Sequence, residues 1–459
     1  MGNDEKGMTP SGQQEAERQG FAKQEAERAP ADAPMQMKIV LGMITRQLTD
    51  PGTIVAFLDN AARFNRKIDR VIISVSGEVN PAAVRAIEAR VPLEVIDLNQ
   101  PEERIQAYAA GELTEAEANA LFRRPVYESG GQMPYGPNRN GVILEGIRGG
   151  GDVLVFVDSD VSPLLLSGCP GQYHFEDADF FGSHLEALDL PGVGVSTSDY
   201  SGYYIIPPMA FDGLDTFLEG LQKGAAYAFV QGSGQHHGLT FDCGDSRQPF
   251  WTDKILGGNV AIRLELFQSH LPFFSTAYHF EGDWVLTRGE DTLLGKTLAA
   301  SERWKVLDID LRIFHDTFGT FPQIPDIQKE AFIRNRFYNT CLGWIGRNPI
   351  LNALSGEDAG AISRRQIAFL EKSVAAAAEY FGDARFLKLP DAARAAFEQL
   401  PDALEAYAEL RRLWPKAVRT AWKLRDEARG VEDGGVNSIR SANSISGVSI
   451  QSRKGGETP

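Results

Sequence analysis

From residue 37 to residue 157 the chain alternates short apolar runs with segments of helical periodicity, and this constrains the fold more than any other feature. Residues 37–45 (MKIVLGMIT) read as a buried strand. Pro51 opens a helical pattern to about Phe64, with Ile54, Val55, Phe57 and Leu58 on its apolar face. Residues 70–76 (RVIISVS) and 93–98 (LEVIDL) are further strands, with a helix starting at Pro81 between them. Helical stretches at 101–110 and 114–122, a loop over 123–137, a helix over 138–148 and a strand over 152–157 (DVLVFV) complete the run. Strands alternating with helices predict a doubly wound, mostly parallel α/β sheet. Ligands of such sheets bind at strand carboxyl ends, here the loops after Thr45, Ser76 and Val157.

Beyond Asp160 the pattern is mixed. Strands are expected at 193–197 and 304–309, regular structure at 255–262, and helices at 264–270 and 291–300. Residues 199–254 are irregular and rich in Gly, aromatic residues and His. Residues 362–429 are Ala-, Leu-, Glu- and Arg-rich at helical spacing, with heptads too irregular for a long coiled coil. The expected organisation is a polar leader (1–36, carrying QEAER twice), a catalytic unit (37–330), a helical extension (331–430) and a Ser-, Gly- and Asn-rich tail (431–459).

The formal net charge of −16 argues against general nucleic-acid binding and against docking on anionic lipid. No run reaches the roughly 18 to 20 apolar residues of a membrane helix, and the polar leader is not a signal peptide. Cys169, Cys243 and Cys341 are sparse and form no CxxC, which fits a reducing compartment. The expected location is therefore the cytoplasm. An anionic ligand on this chain needs a local correction, from a metal ion or a few placed Arg residues.

The strongest local signal is Asp158-Ser159-Asp160, directly after the apolar run 153–157. Two carboxylates one residue apart at a strand's carboxyl end can converge on a hard cation, Mn²⁺ or Mg²⁺, which bridges phosphates to protein. Solvated loop aspartates are the plainer reading, and the buried strand before them favours the metal. The stretch 138–160, NRNGVILEGIRGGGDVLVFVDSD, resembles the donor-binding stretch of glycosyltransferase family 2 and its GT-A relatives. The resemblance runs in order from residue 37 to about 321. It implies a GT-A type α/β fold, with a Rossmann-like nucleotide half, a mixed acceptor half and here a C-terminal helical extension.

By that resemblance Asp160 binds the metal directly, Asp158 contacts the ribose or the metal, and Arg139 lies against the nucleotide. The first two loops depart from the family pattern. Thr45 closes the first, and the second carries Glu78, whose carboxylate could accept from a uracil or guanine N–H. Residues 256–262 (LGGNVAI) resemble the acceptor-side segment, with Gly258 allowing close backbone approach, although a tight turn before a strand reads equally well. Glu290 and Asp291 open a helix, where acids also serve as dipole partners. In the resemblance Asp291 is the catalytic base and Glu290 supports it. His315 is placed as the late metal ligand, against the alternative of a core histidine, with His236-His237 as rivals. Tyr200, Tyr203, Tyr204, Phe250 and Trp251 are an aromatic set that either stacks on sugars or fills core.

The expected activity is transfer of a hexose from a UDP- or GDP-linked donor to an acceptor hydroxyl, inverting through Asp291, with retention as an alternative. A nucleotidyltransferase would carry a Gly-, Arg- and Lys-rich first loop, and residues 41–51 hold one Gly and one Arg. A non-enzymatic sugar-nucleotide-binding scaffold is the rival from another class. Apolar Leu387, Leu389, Leu400, Leu404, Leu410 and Leu413 suggest packing of the C-terminal helices on the core or on a second copy of the chain.

Overall fold

The computed structural model describes residues 37–98, 100–122, 134–169, 172–230 and 248–434. The two QEAER segments, Cys243, His236-His237 and the tail from 435 lie outside them.

β1 (Ile39–Thr45), β2 (Arg70–Val75), β3 (Leu93–Asp97) and β4 (Val153–Val157) are the four strands expected from the early apolar runs. They pair in parallel in the order β3-β2-β1-β4. Successive residues bury on opposite faces: Val40, Ile72, Leu154 and Phe156 join one core cluster, and Leu41, Ile73, Val155 and Val157 another. That is the period of a strand covered on both sides. The Gly52–Arg63, Pro81–Glu88 and Phe180–Leu188 helices cover the second face through Phe57, Ile87 and Phe180. The Glu102–Ala109, Glu115–Phe122 and Tyr135–Arg148 helices cover the first. The Pro81–Glu88 helix begins where composition predicts, with Pro81 at its start and the Asn80 side chain accepting from Ala82 N at 2.9 Å. Because β2 and β3 add on one side of β1 and β4 on the other, the carboxyl ends of β1 and β4 flank a switch point.

The remaining strands are mixed. β5 (Val161–Cys169) and β6 (Gln172–Asp177) form an antiparallel pair after the Asp-Ser-Asp loop. β7 (Val193–Thr197), β8 (Tyr200–Ser201) and β9 (Phe250–Thr252) precede β10 (Asn259–Arg263), which inserts antiparallel between β4 and β7. β11 (Ala277–Phe280) and β12 (Asp283–Leu286) make a separate hairpin. β13 (Lys305–Asp308) runs parallel to β7, and the large sheet reads β3-β2-β1-β4-β10-β7-β13-β9. β14 (Ile313–His315) pairs with β5 and β8 in a second, four-stranded sheet.

The C-terminal helices do two different jobs. The Ala331–Leu354, Ala359–Phe381 and Leu389–Glu398 helices share a core with the Leu214–Gly220 helix, built on Phe217, Phe337, Leu370, Phe381 and Phe386. The Leu400–Gly434 helix instead lies on the large sheet's layer, burying Leu410, Leu413, Trp414, Val418 and Ala421 in the same cluster as Leu154 and Phe156. Leu389 is also buried within the chain, whereas Leu387 and Leu404 stay exposed. Among the described residues no helix is long and apolar enough to cross a membrane.

Trp414, 1% exposed and edge-on to Phe267 at 6.0 Å, anchors the last helix to the sheet layer. Trp414→Ala is expected to lower unfolding free energy by about 3–5 kcal/mol in a urea melt. A loss below about 1 kcal/mol would show that this helix is not part of the main core.

Candidate active site

Two strand registers assemble the site. Pairing of Asn259 with Val157 sets Gly258 beside Asp158. Pairing of His315 with Val161 sets His315 beside Asp160. The Glu290–Ala299 helix then points its amino end at the same place, where Gly257 N donates to Asp291 Oδ2 at 3.1 Å.

Arg139 ties these segments together. Its Nε donates to Glu290 Oε1 at 3.0 Å, Nη1 to the Gly257 carbonyl at 2.8 Å and Nη2 to Asp158 Oδ1 at 3.1 Å. The guanidinium is 3% exposed and lies against the rings of Phe156 and Phe273, at 5.0 and 5.5 Å. Burial opposes its charge, but Asp158, Glu290 and Asp291 outweigh that and raise its pKa. Sequence reasoning placed Arg139 against a nucleotide; the structure places it as a strut whose three nitrogens all have protein partners.

The two glycines make this packing possible. A Cβ on Gly257 would lie 2.4 Å from Arg139 Nη2, and one on Gly258 would lie 2.4 Å from the Asp158 carboxylate. Gly258 therefore makes room for Asp158, and its N–H donates to Tyr200 Oη at 2.9 Å; it does not line the cavity. The close approach expected at this glycine is made by the protein itself.

The two aspartates differ. Burial pushes Asp158 above the usual carboxylate range, and Asp160 adds to that against the pull of Arg139 and His315. Burial acts the same way on Asp160, but His315 and Arg336 more than offset it and hold it at about 2. Asp160 Oδ2 lies 3.3 Å from His315 Nε2 and 3.2 Å from Arg336 Nη2. The other ring nitrogen, His315 Nδ1, is 3.0 Å from Thr317 Oγ1, whose hydroxyl donates to the Tyr203 carbonyl. Thr317 therefore accepts from Nδ1–H, so a neutral His315 turns its Nε2 lone pair toward Asp160. Two acceptors facing each other need a proton or a cation between them.

Among the described residues no three His, Cys, Asp or Glu side chains form a ready ligand set. Asp158, expected at the ribose or the metal, accepts from Arg139 through Oδ1 and lines the cavity. The donor chemistry of Asp160 and His315 fits Mn²⁺ or Mg²⁺: a carboxylate oxygen held ionised beside an imidazole nitrogen with a fixed tautomer.

All of this opens on one cavity of about 1080 Å³ at the carboxyl ends of β1 and β4. Thr45, Arg139, Asp158, Asp160, Asp291 and His315 line it, as does Glu290. Glu78 does not: its carbonyl accepts from Leu48 N at 2.8 Å, which pins the loop and leaves Glu78 exposed outside the cavity. Ser76 lines the cavity in its place. Tyr200, Tyr203 and Tyr204 line it, whereas Phe250 and Trp251 belong to the edge strand β9.

Sequence reasoning missed one wall. Arg336, Asn339 and Arg347, on the Ala331–Leu354 helix, line the cavity, and so does Lys223. The signal was a polar stripe at spacings of three, eight and eleven residues on a helix otherwise largely buried.

No protein-family model matches the sequence, and no curated protein matches it. Solved structures match at low identity. Glucosyl-3-phosphoglycerate synthase from Mycobacterium tuberculosis, in complex with Mg²⁺ and uridine-diphosphate, is 16% identical over 74% of this chain and 84% of that chain, with a TM-score of 0.35. A mannosyltransferase from Pyrobaculum calidifontis, in complex with GDP-Man and Mn²⁺, is 14% identical over 90% of this chain and 97% of that chain, with a TM-score of 0.35. Likeness at this level transfers no residue role or ligand to this chain.

Glu290 is 7% exposed and paired with Arg139. Glu290→Ala strands a buried guanidinium and is expected to destabilise the fold by about 3 kcal/mol in urea unfolding, with Glu290→Gln costing less. Equal stability of Glu290→Ala and wild type would remove Arg139 as the organising strut.

Proposed function

We propose that this chain is a metal-dependent glycosyltransferase, moving a hexose from a UDP- or GDP-linked donor to an acceptor hydroxyl. One observation carries the reading. The ionised Asp160 and the tautomer-fixed His315 share a switch-point cavity with a second acidic group, Asp291, at a helix amino end. A divalent cation held by Asp160 and His315 would supply charge neutralisation for a departing diphosphate.

Arg139 keeps Asp158 and the Gly257 carbonyl in place, so the floor of the cavity is rigid before substrate arrives. In the inverting reading the acceptor hydroxyl gives its proton to the Asp291 carboxylate. Its oxygen bonds the anomeric carbon as the bond from that carbon to the diphosphate breaks, the electron pair leaving with phosphate. A second reading is retention, and one feature favours it. Both oxygens of Asp291 already accept backbone N–H groups, Gly257 at 3.1 Å and Thr292 at 2.6 Å, so each has a lone pair engaged and the carboxylate is held in place. In that reading Asp291 is a fixed anion near the developing positive charge.

The test is release of nucleoside diphosphate from UDP- and GDP-hexoses in Mn²⁺, with and without EDTA. Wild type is expected to hydrolyse one donor slowly and EDTA to stop it. Asp160→Ala is expected to cut the rate by roughly 100-fold or more. Unchanged turnover in Asp160→Ala contradicts the proposal, and hydrolysis of no donor favours the scaffold reading. NMR of the transferred sugar's anomeric configuration separates inversion from retention.

A further inference from the structure

Part of the cavity wall comes from outside the two sheets that present Asp158, Asp160 and His315. The β11–β12 hairpin supplies it, through Glu281, Asp283, Trp284 and Leu286. Its turn residues Glu281 and Gly282 have φ 51° and 89°, the left-handed pair that lets a two-residue turn follow the twist of its strands. Tyr278, Phe280 and Val285 fix the hairpin to the core built on Phe337 and Phe386. Tyr278 Oη donates to the Leu342 carbonyl at 3.1 Å. Gln399 grips the backbone N–H and C=O of His279 at 2.8 and 2.9 Å. The hairpin is therefore a fixed wall, tied to the helical extension rather than to the large sheet.

On this wall Trp284 is 39% exposed. The other exposed large apolar side chains among the described residues, Phe175, Ile324, Phe332, Leu387 and Leu404, do not line the cavity. His279, the cross-strand partner of Trp284, meets the indole at 5.6 Å and 82°, an edge-to-face contact that helps to hold the ring in place. β12 then leads into the helix that carries Asp291, with Arg288 on the way donating its N–H to the Gly343 carbonyl at 3.1 Å. The chain from Trp284 to Asp291 can span at most about 25 Å, a reach that a short run of sugar rings covers.

The groups that share this wall with the indole select the ligand. Glu281 and Asp283 end in carboxylates, which only accept hydrogen bonds when ionised, so they suit hydroxyl donors and repel an anion. A hydrocarbon tail would press apolar surface against those carboxylates and against Arg385, which lines the same cavity. A sugar ring meets both demands, since its C–H face covers an indole while its hydroxyls donate to carboxylates. The cavity, about 1080 Å³, exceeds the roughly 300–1,000 Å³ usual for one small ligand, which leaves room for a donor and a second substrate together.

We propose that Trp284 is the platform of a saccharide subsite, so that the acceptor is a neutral saccharide with one ring stacked on the indole and its reacting hydroxyl at Asp291. This rests on the glycosyltransfer reading and names the class of its second substrate.

Saturation-transfer NMR on full-length protein holding Mn²⁺ and UDP or GDP tests this. The probes are maltose, cellobiose, lactose and α-1,2-mannobiose, with glycerol and octanol for comparison. Wild type is expected to bind at least one disaccharide, with the strongest transfer to the C–H protons of one ring face, and to bind glycerol and octanol more weakly. Trp284→Ala is expected to weaken that disaccharide about tenfold, and Trp284→Phe, which keeps an aromatic face, by about twofold or less. Phe332→Ala, exposed outside the cavity, should bind as wild type does. Binding of no disaccharide, or equal binding by wild type and Trp284→Ala, overturns the proposal. So does octanol bound through Trp284 more tightly than every disaccharide, which would assign the wall to an apolar tail. A chain that binds a disaccharide through Trp284 but hydrolyses no nucleotide sugar instead strikes the glycosyltransfer reading and leaves the saccharide subsite, so the two failures are told apart.

Discussion

A single buried guanidinium organises the centre of this molecule. Arg139 lies between two aromatic rings and binds groups from three places: the end of β4, the turn before β10 and the start of the Glu290–Ala299 helix. Its charge is tolerable at that depth only because Asp158 and Glu290 meet it directly. Gly257 and Gly258 follow from the same requirement, since a side chain at either position would displace the guanidinium or its carboxylate partner. The cost of burying the charge thus sets the identity of residues far apart in sequence.

That arrangement separates two aspartates that look alike in sequence. Asp158 faces Arg139 and is part of the scaffold; Asp160 faces His315 and Arg336 and is held ionised. The cavity is accordingly divided by charge. One region can hold a cation between Asp160 and His315. Another, with Arg347 and Lys223, offers positive charge next to Asp291.

The parallel half was legible in the sequence because its strands are buried on both faces and read as unbroken apolar runs, as in residues 37–45 and 152–157. β6 was not legible: nearly every residue of QYHFED is exposed, so no alternation marks it. Nor was the antiparallel insertion of β10, because direction of pairing leaves no trace in a five-residue strand with three apolar residues. His315 and Asp291 were named from their order along the chain and a resemblance to a known pattern, and the structure brings both to the cavity. The roles of Arg139 and Gly258 required the register between β4 and β10, which is a tertiary fact. Glu78 went astray because backbone pairing of its loop with Leu48, invisible in sequence, leaves it outside the cavity. Arg347 and Lys223 were overlooked because their environment comes from helix packing between segments more than a hundred residues apart.

The central claim is that an imidazole nitrogen, with its tautomer fixed by Thr317, joins Asp160 in holding a divalent cation. Pulsed EPR of Mn²⁺ bound to the protein with UDP or GDP reads this directly, through the coupling of the metal electron spin to a histidine nitrogen. The account predicts nitrogen coupling in wild type and its loss in His315→Gln. Bound Mn²⁺ with no nitrogen coupling, or coupling that persists in His315→Gln, would contradict it.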